Sequence, residues 1–147
     1  MKTLLIFLAI ISGAVLPIQA ALNGKMGKAV GDPVYAAFIS FVVGSLGLFL
    51  YVLLTKTPVS SISQAAEVNG SVWLAGILGA FYVACVIILA PKLGVALTFG
   101  LVVTGQLSVS LLMDHFGMIG IPVREISWPK IFGVLLIITG VIIIRKF

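Results

Sequence analysis

Five long apolar runs, set apart by isolated charges and turn residues, fix the kind of fold open to this chain. They cover about residues 3–22, 34–54, 71–90, 93–113 and 129–144. A helix that crosses a hydrocarbon core ~30 Å thick needs about 20 apolar residues. The first four runs meet that length. The fifth reaches it with its flanks, where Ser127 is a candidate N-cap, Pro129 suits a first turn and Trp128 suits the membrane interface. The runs are continuous and lack period-two alternation, which excludes a membrane β-barrel. The fold class is an all-α integral membrane protein, with five transmembrane helices in a single domain over residues 1–147.

Composition closes the alternatives. Only 9% of the 147 residues are charged and 61% are hydrophobic, whereas a soluble domain carries about 25% charged residues. So little charge cannot solvate a globule of this size, so a soluble enzyme domain and a disordered chain are both excluded. The net charge of +5 comes from basic residues scattered singly between apolar runs. No basic patch with interleaved aromatics exists, so no nucleic-acid partner is expected. Cys85, the only cysteine, lies inside an apolar run, which leaves no intrachain disulfide and no thiol metal cluster. Ser-His-acid order, a Gly-Lys-Ser/Thr phosphate loop and paired intramembrane carboxylates are all absent from the sequence. No enzyme activity, metal or cofactor is expected.

The first run has some signal-peptide character: Lys2, an apolar stretch over Leu4–Ile11, and small residues at Ala20 and Ala21. Its length and the bulky Ile18 at the −3 position favour retention as a span. Thr57–Asn69 is the one clearly polar loop, and Pro91 with Lys92 is expected to form a tight turn between spans three and four.

An odd number of spans puts the termini on opposite sides of the membrane. Lys2, Lys56, Arg124, Lys130 and the N-terminal amine then fall on one side; Lys25, Lys28, Lys92, Arg145 and Lys146 fall on the other. Orientation is normally set by an excess of Lys and Arg in cytoplasmic loops, and here the count is five against five. One explanation is a single orientation set by the first helix or by a partner. Another is insertion in both orientations with head-to-tail pairing, which would give ten helices related as in the inverted repeats of many secondary transporters.

Polar groups inside spans mark candidate transport residues, because each needs a partner or a water-filled cavity. Gln106 lies nearest a midplane, with Ser110 and Asp114 following at i+4 and i+8 on the same helical face. On the first span, Ser12, Gln19 and Asn23 share a face, and Pro17 frees a carbonyl near Gly13, where a kink is expected. Tyr82 sits at the centre of span three, where its hydroxyl needs a partner. Gln19, Asn23, Tyr82, Gln106 and Ser110 are therefore the candidate substrate-binding residues. For each of them the alternative is interhelical packing or hydrogen bonding. Asp114 and His115, the only acid–imidazole pair, are candidates for proton coupling, with solvated loop residues as the alternative. Tyr35, Tyr51, Trp73 and Trp128 lie near span ends and read as interface anchors. Glycines recur within spans, and Gly133 and Gly140 share a face that could seat another helix, from this chain or a second one.

Several local patterns, in order along the chain, carry a family resemblance. They are Gln19 to Gly24, Gly31-Asp32-Pro33, Ser40-Phe41, Gly76 to Val83, Ala90 to Gly94, Gly105-Gln106-Leu107, Asp114 to Gly117, and Gly133 with Gly140-Val141. Together they resemble the small five-span branch of the drug/metabolite transporter superfamily, the inner-membrane exporters of the YdcZ type. The stretch from Gly105 to Gly117 is the most specific part. The resemblance implies five helices per chain, a bacterial inner-membrane location, and ten-helix functional units made from two chains or by fusion. No carboxylate stands in the middle of span one, where small multidrug exporters keep a cation-binding glutamate.

The expected function is a transporter subunit that exports a small metabolite or drug-like molecule by alternating access, at a site lined by spans one, three and four. The expected partners are the lipid bilayer, a small-molecule substrate, and a second copy or a paralogous chain. The alternative is a non-transporting assembly or regulatory subunit of another membrane protein.

Overall fold

The computed structural model describes residues 1–56, 58, 64 and 67–147. Its main elements are helices α1 (Lys2–Val30), α2 (Pro33–Leu54), α3 (Leu74–Leu93), α4 (Val95–Phe116) and α5 (Trp128–Lys146). Short 3-10 turns occupy Gly70–Trp73 and Met118–Gly120. There is no strand among the described residues, and five helices are long and apolar enough to cross a membrane. Most of the polar loop expected over residues 57–69 lies outside the described residues.

The helices overrun the apolar stretches that encode them. α1 has 29 residues, about 43 Å at 1.5 Å per residue, enough to cross the headgroup regions as well as the core. Its last two turns carry Lys25 and Lys28 and remain helical up to Gly31, which closes the helix at φ 78°. Pro17 does not interrupt α1: the helix is continuous across it, although the expected backbone vacancy remains one residue wide. α2 starts on a built cap. Asp32 Oδ1 accepts hydrogen bonds from the Val34 and Tyr35 amides at 2.6 and 3.0 Å, with Pro33 in the first turn. Such a cap contributes about 0.5–2 kcal/mol.

Two expected end signals shift. Pro91 and Lys92 do not form the turn; both stay within the last turn of α3, where a proline φ near −65° is compatible with helix. The break falls on Gly94, at φ 87° and ψ 149°, a conformation that side chains other than glycine avoid. Ser127 does hold the N-cap position of α5, but its side chain makes no cap bond; the backbone carbonyl accepts from the Lys130 and Ile131 amides instead.

The chain divides into two compact units, Met1–Leu89 and Ala90–Phe147, with the boundary inside α3. In the first, Ala36 and Ala37 of α2 and Ile87 of α3 form a buried cluster, against which Val83 and Ala84 pack. Ala20, Asn23 and Gly27 make the buried face of α1. A Cβ placed on Gly27 would stand 3.5 Å from Pro33 Cα and 3.7 Å from both Ala36 Cβ and Ile87 Cγ2. Small residues therefore bring these three helices together, as expected where lipid offers no hydrophobic drive for association. In the second unit α4 packs on α5. A Cβ on Gly100 would lie 2.8 Å from Val141 Cγ2, so the two helices meet where glycine leaves room. Large apolar side chains stand exposed along all five helices, as expected where the surrounding solvent is hydrocarbon.

Candidate functional site

Most hydroxyls within the spans are satisfied by their own helix. Ser12 donates to Leu8 O, Thr98 to Gly94 O, Thr104 to Gly100 O, Ser108 to Thr104 O and Thr139 to Leu135 O, all at 2.8 or 2.9 Å. Each bond runs to the carbonyl one turn back and leaves the group with little demand for an outside partner. Among the described residues Thr98 is the most deeply buried polar side chain, and nothing in its sequence surroundings marks it.

Two buried polar atoms of the first unit have no hydrogen-bond partner: Asn23 Nδ2 and Tyr82 Oη. Both belong to residues that sequence reasoning nominates as substrate-binding. Asn23 is 8% exposed and sits on the inward face of α1 between Ala20 and Gly27. Tyr82 is half-buried on α3. An unpaired buried amide or hydroxyl costs about 1–3 kcal/mol, which sets these two apart from the self-bonded hydroxyls.

Asn23 and Tyr82 stand on two helices of the same unit. α1 and α3, separated by one crossing, run in the same direction. They approach each other at Gly27, where an added Cβ would stand 3.7 Å from Ile87 Cγ2. One turn back from that contact lie Asn23 on α1 and Val83, the neighbour of Tyr82, on α3. Gln19 is exposed, so the expected face Ser12–Gln19–Asn23 is not the inward one. The inward face is rotated toward Ala20 and Gly27 and shares only Asn23 with it.

The remaining candidates belong to the second unit. Gln106 and Ser110 are exposed on α4. Asp114 and His115 are half-buried and tether the segment that leads into α5. Asp114 O accepts from the Arg124 amide at 2.7 Å, and His115 Nδ1 accepts from the Ile126 amide at 3.3 Å. The His115 ring also stands edge-on to Phe116, with centroids 4.9 Å apart. Gly117, at φ 59°, ends α4 beneath this tether. Among the described residues no group of three or more His, Cys, Asp or Glu side chains is placed to hold a metal. Cys85 is a free, half-buried thiol.

No solved structure matches the chain. The inner membrane protein YdcZ of Escherichia coli (strain K12) is similar to it, 25% identical over 146 residues that make up 99% of this chain and 97% of that one. A family model described as "Putative inner membrane exporter, YdcZ" matches residues 4–143. With five membrane-crossing helices and a match from the first span into the last, the chain belongs to this inner-membrane exporter family.

Proposed function

We propose that the chain is a secondary transporter subunit that exports a small polar metabolite or drug-like molecule by alternating access. Family membership supports an export role at the inner membrane. The observation that carries the finer reading is the pair of unpartnered buried groups, Asn23 Nδ2 and Tyr82 Oη, in a chain whose other intramembrane hydroxyls are largely bonded to their own helices. An amide nitrogen only donates, and a phenol both donates and accepts. The matching ligand offers a hydrogen-bond acceptor such as a carbonyl, a hydroxyl or a carboxylate. No carboxylate lies within α1, so a simple cation lacks a counter-charge there. The favoured substrate is neutral or zwitterionic.

The working unit is a pair of chains, either two copies or this chain with a paralogue. Gln106 and Ser110, exposed on a membrane-spanning helix, are the groups a second chain would cover. The test is counterflow into proteoliposomes that hold this chain alone, with a panel of labelled neutral, zwitterionic and cationic solutes. Uptake of one neutral or zwitterionic solute, lost in both Asn23→Leu and Tyr82→Phe, is the expected result. Preference for cations, or uptake unaffected in both variants, overturns the assignment. Absence of flux for every solute favours a non-transporting subunit.

A further inference from the structure

A groove of about 300 Å³ runs along the second unit, between the C-terminal half of α4 and the start of α5. Leu111 and Leu112 form one wall, Ile131, Val134 and Leu135 the other, and Ile126 closes the end nearest the membrane surface. The groove is apolar: Ser108, its one polar wall residue, has its hydroxyl bonded to Thr104 O. Its position along the membrane normal follows from α5. Ile131 is the fourth residue of that helix and Leu135 the eighth, so the groove begins at the interface and reaches about two turns into the hydrocarbon. Trp128, 83% exposed, marks the interface beside it.

Charges collect at the shallow end. The Lys130 side chain donates from Nζ to Glu125 O at 2.8 Å, to the residue that precedes the groove residue Ile126. Arg124 and Glu125 are exposed next to it, and Asp114 is tied to the same backbone through the Arg124 amide. Two positive side chains, Arg124 and Lys130, and the Glu125 carboxylate therefore share one short segment, and among the described residues no ion pair joins them. A single-sign patch would suit a purely anionic group. This mixed set, over an apolar groove one leaflet deep, suits a head that carries both signs and a hydrocarbon tail.

We infer that this groove binds one phospholipid with a zwitterionic primary-amine headgroup. Its phosphate lies at Lys130 and Arg124, its ammonium at Glu125, and one acyl chain lies between α4 and α5. A primary ammonium donates hydrogen bonds to a carboxylate, whereas a quaternary ammonium offers none, so the site distinguishes phosphatidylethanolamine from phosphatidylcholine. Phosphatidylglycerol supplies the phosphate without the amine.

The full chain is purified in detergent, supplied with each of these lipids in turn, and observed by native mass spectrometry and thermal unfolding. One phosphatidylethanolamine per chain is expected to survive the removal of bulk detergent and to raise the melting temperature. Phosphatidylcholine and phosphatidylglycerol should be retained about tenfold less, the worth of one charge-assisted hydrogen bond. Lys130→Gln should weaken retention of all three lipids. Glu125→Gln should erase the preference for the amine while keeping the tail in place. Leu135→Trp, a substitution at an exposed wall position, should fill the groove and abolish the adduct. Equal retention of the three lipids, unmoved by Lys130→Gln and Glu125→Gln, would mean ordinary boundary lipid and overturns the site. A change of oligomeric state in Leu135→Trp with lipid retention intact would identify the groove as a seam between chains, and likewise overturns it.

Discussion

Asn23 and Tyr82 differ from the other polar residues of the spans in what their removal should do. A polar side chain kept for structure is bonded, and truncating it destabilises the fold. A buried group left unpartnered costs about 1–3 kcal/mol in the empty protein, so an apolar residue of similar shape removes a penalty. Asn23→Leu and Tyr82→Phe are therefore expected to leave the melting temperature of the ligand-free protein unchanged or to raise it, while abolishing transport. A fall of several degrees in both variants would mark them as packing residues. The sequence made both positions candidates through their rarity in hydrocarbon. It did not separate them from Gln19, Gln106 or Ser110, because that separation depends on which face of each helix turns inward. Gln19 and Asn23 are four residues apart and nearly in line on α1, yet one is exposed and the other buried. Small residues settle the difference: Ala20 and Gly27 allow the close approach, and Asn23 lies between them.

Hydropathy makes the helices legible because a membrane span must satisfy its own backbone and be apolar along its length. The five runs accordingly appear as five helices, with most ends displaced by up to three residues and the end of α1 by more, where an apolar count stops and helical backbone continues. Asn23 to Val30 is such a place, since polar composition does not end a helix that still packs through Gly27. The turn before α4 falls later than Pro91 and Lys92 suggest, for a related reason: proline marks the end of a helix in general, but the residue that breaks this one is Gly94. Glycine spacing alone also fails to tell contact from open surface. Gly100 lies against Val141, while Gly105, Gly133 and Gly140 have nothing within 4 Å. Adding a methyl group at Gly100 forces a β-branched neighbour that has little rotamer freedom in a helix. Gly100→Ala should cost about 1–3 kcal/mol, read as a lower melting temperature, and Val141→Ala in the same chain should restore most of it. Gly105→Ala is the matched control and should leave the unpaired chain unchanged. If both glycine variants melt alike, the α4–α5 contact is not set at Gly100.

At the scale of the whole molecule, the balance of basic residues bears on how two chains would meet. Five crossings place the termini on opposite sides, and five positive groups stand on each side when the N-terminal amine is counted. The Lys and Arg excess that ordinarily fixes orientation is missing. α1 keeps Lys25 and Lys28 in its last two turns and α5 ends on Arg145 and Lys146, so these four charges share one side against Lys2, Lys56, Arg124, Lys130 and the amine. With neither side dominant, insertion in both orientations would supply the two halves of an inverted pair from a single sequence. A reporter fused to the C-terminus is then expected on both faces of the membrane in substantial amounts. Two or three lysines added within residues 57–69 should gather the reporter on one face, and the same number added on the other side should gather it on the opposite face. Each pinned variant should be inactive alone, and the two together should recover transport, because each supplies one orientation. A wild-type reporter confined to one face would instead favour a paralogous partner of opposite orientation or a parallel pair. Activity from one pinned variant by itself would exclude the antiparallel pair of identical chains, since the charge balance would then have no role in assembly.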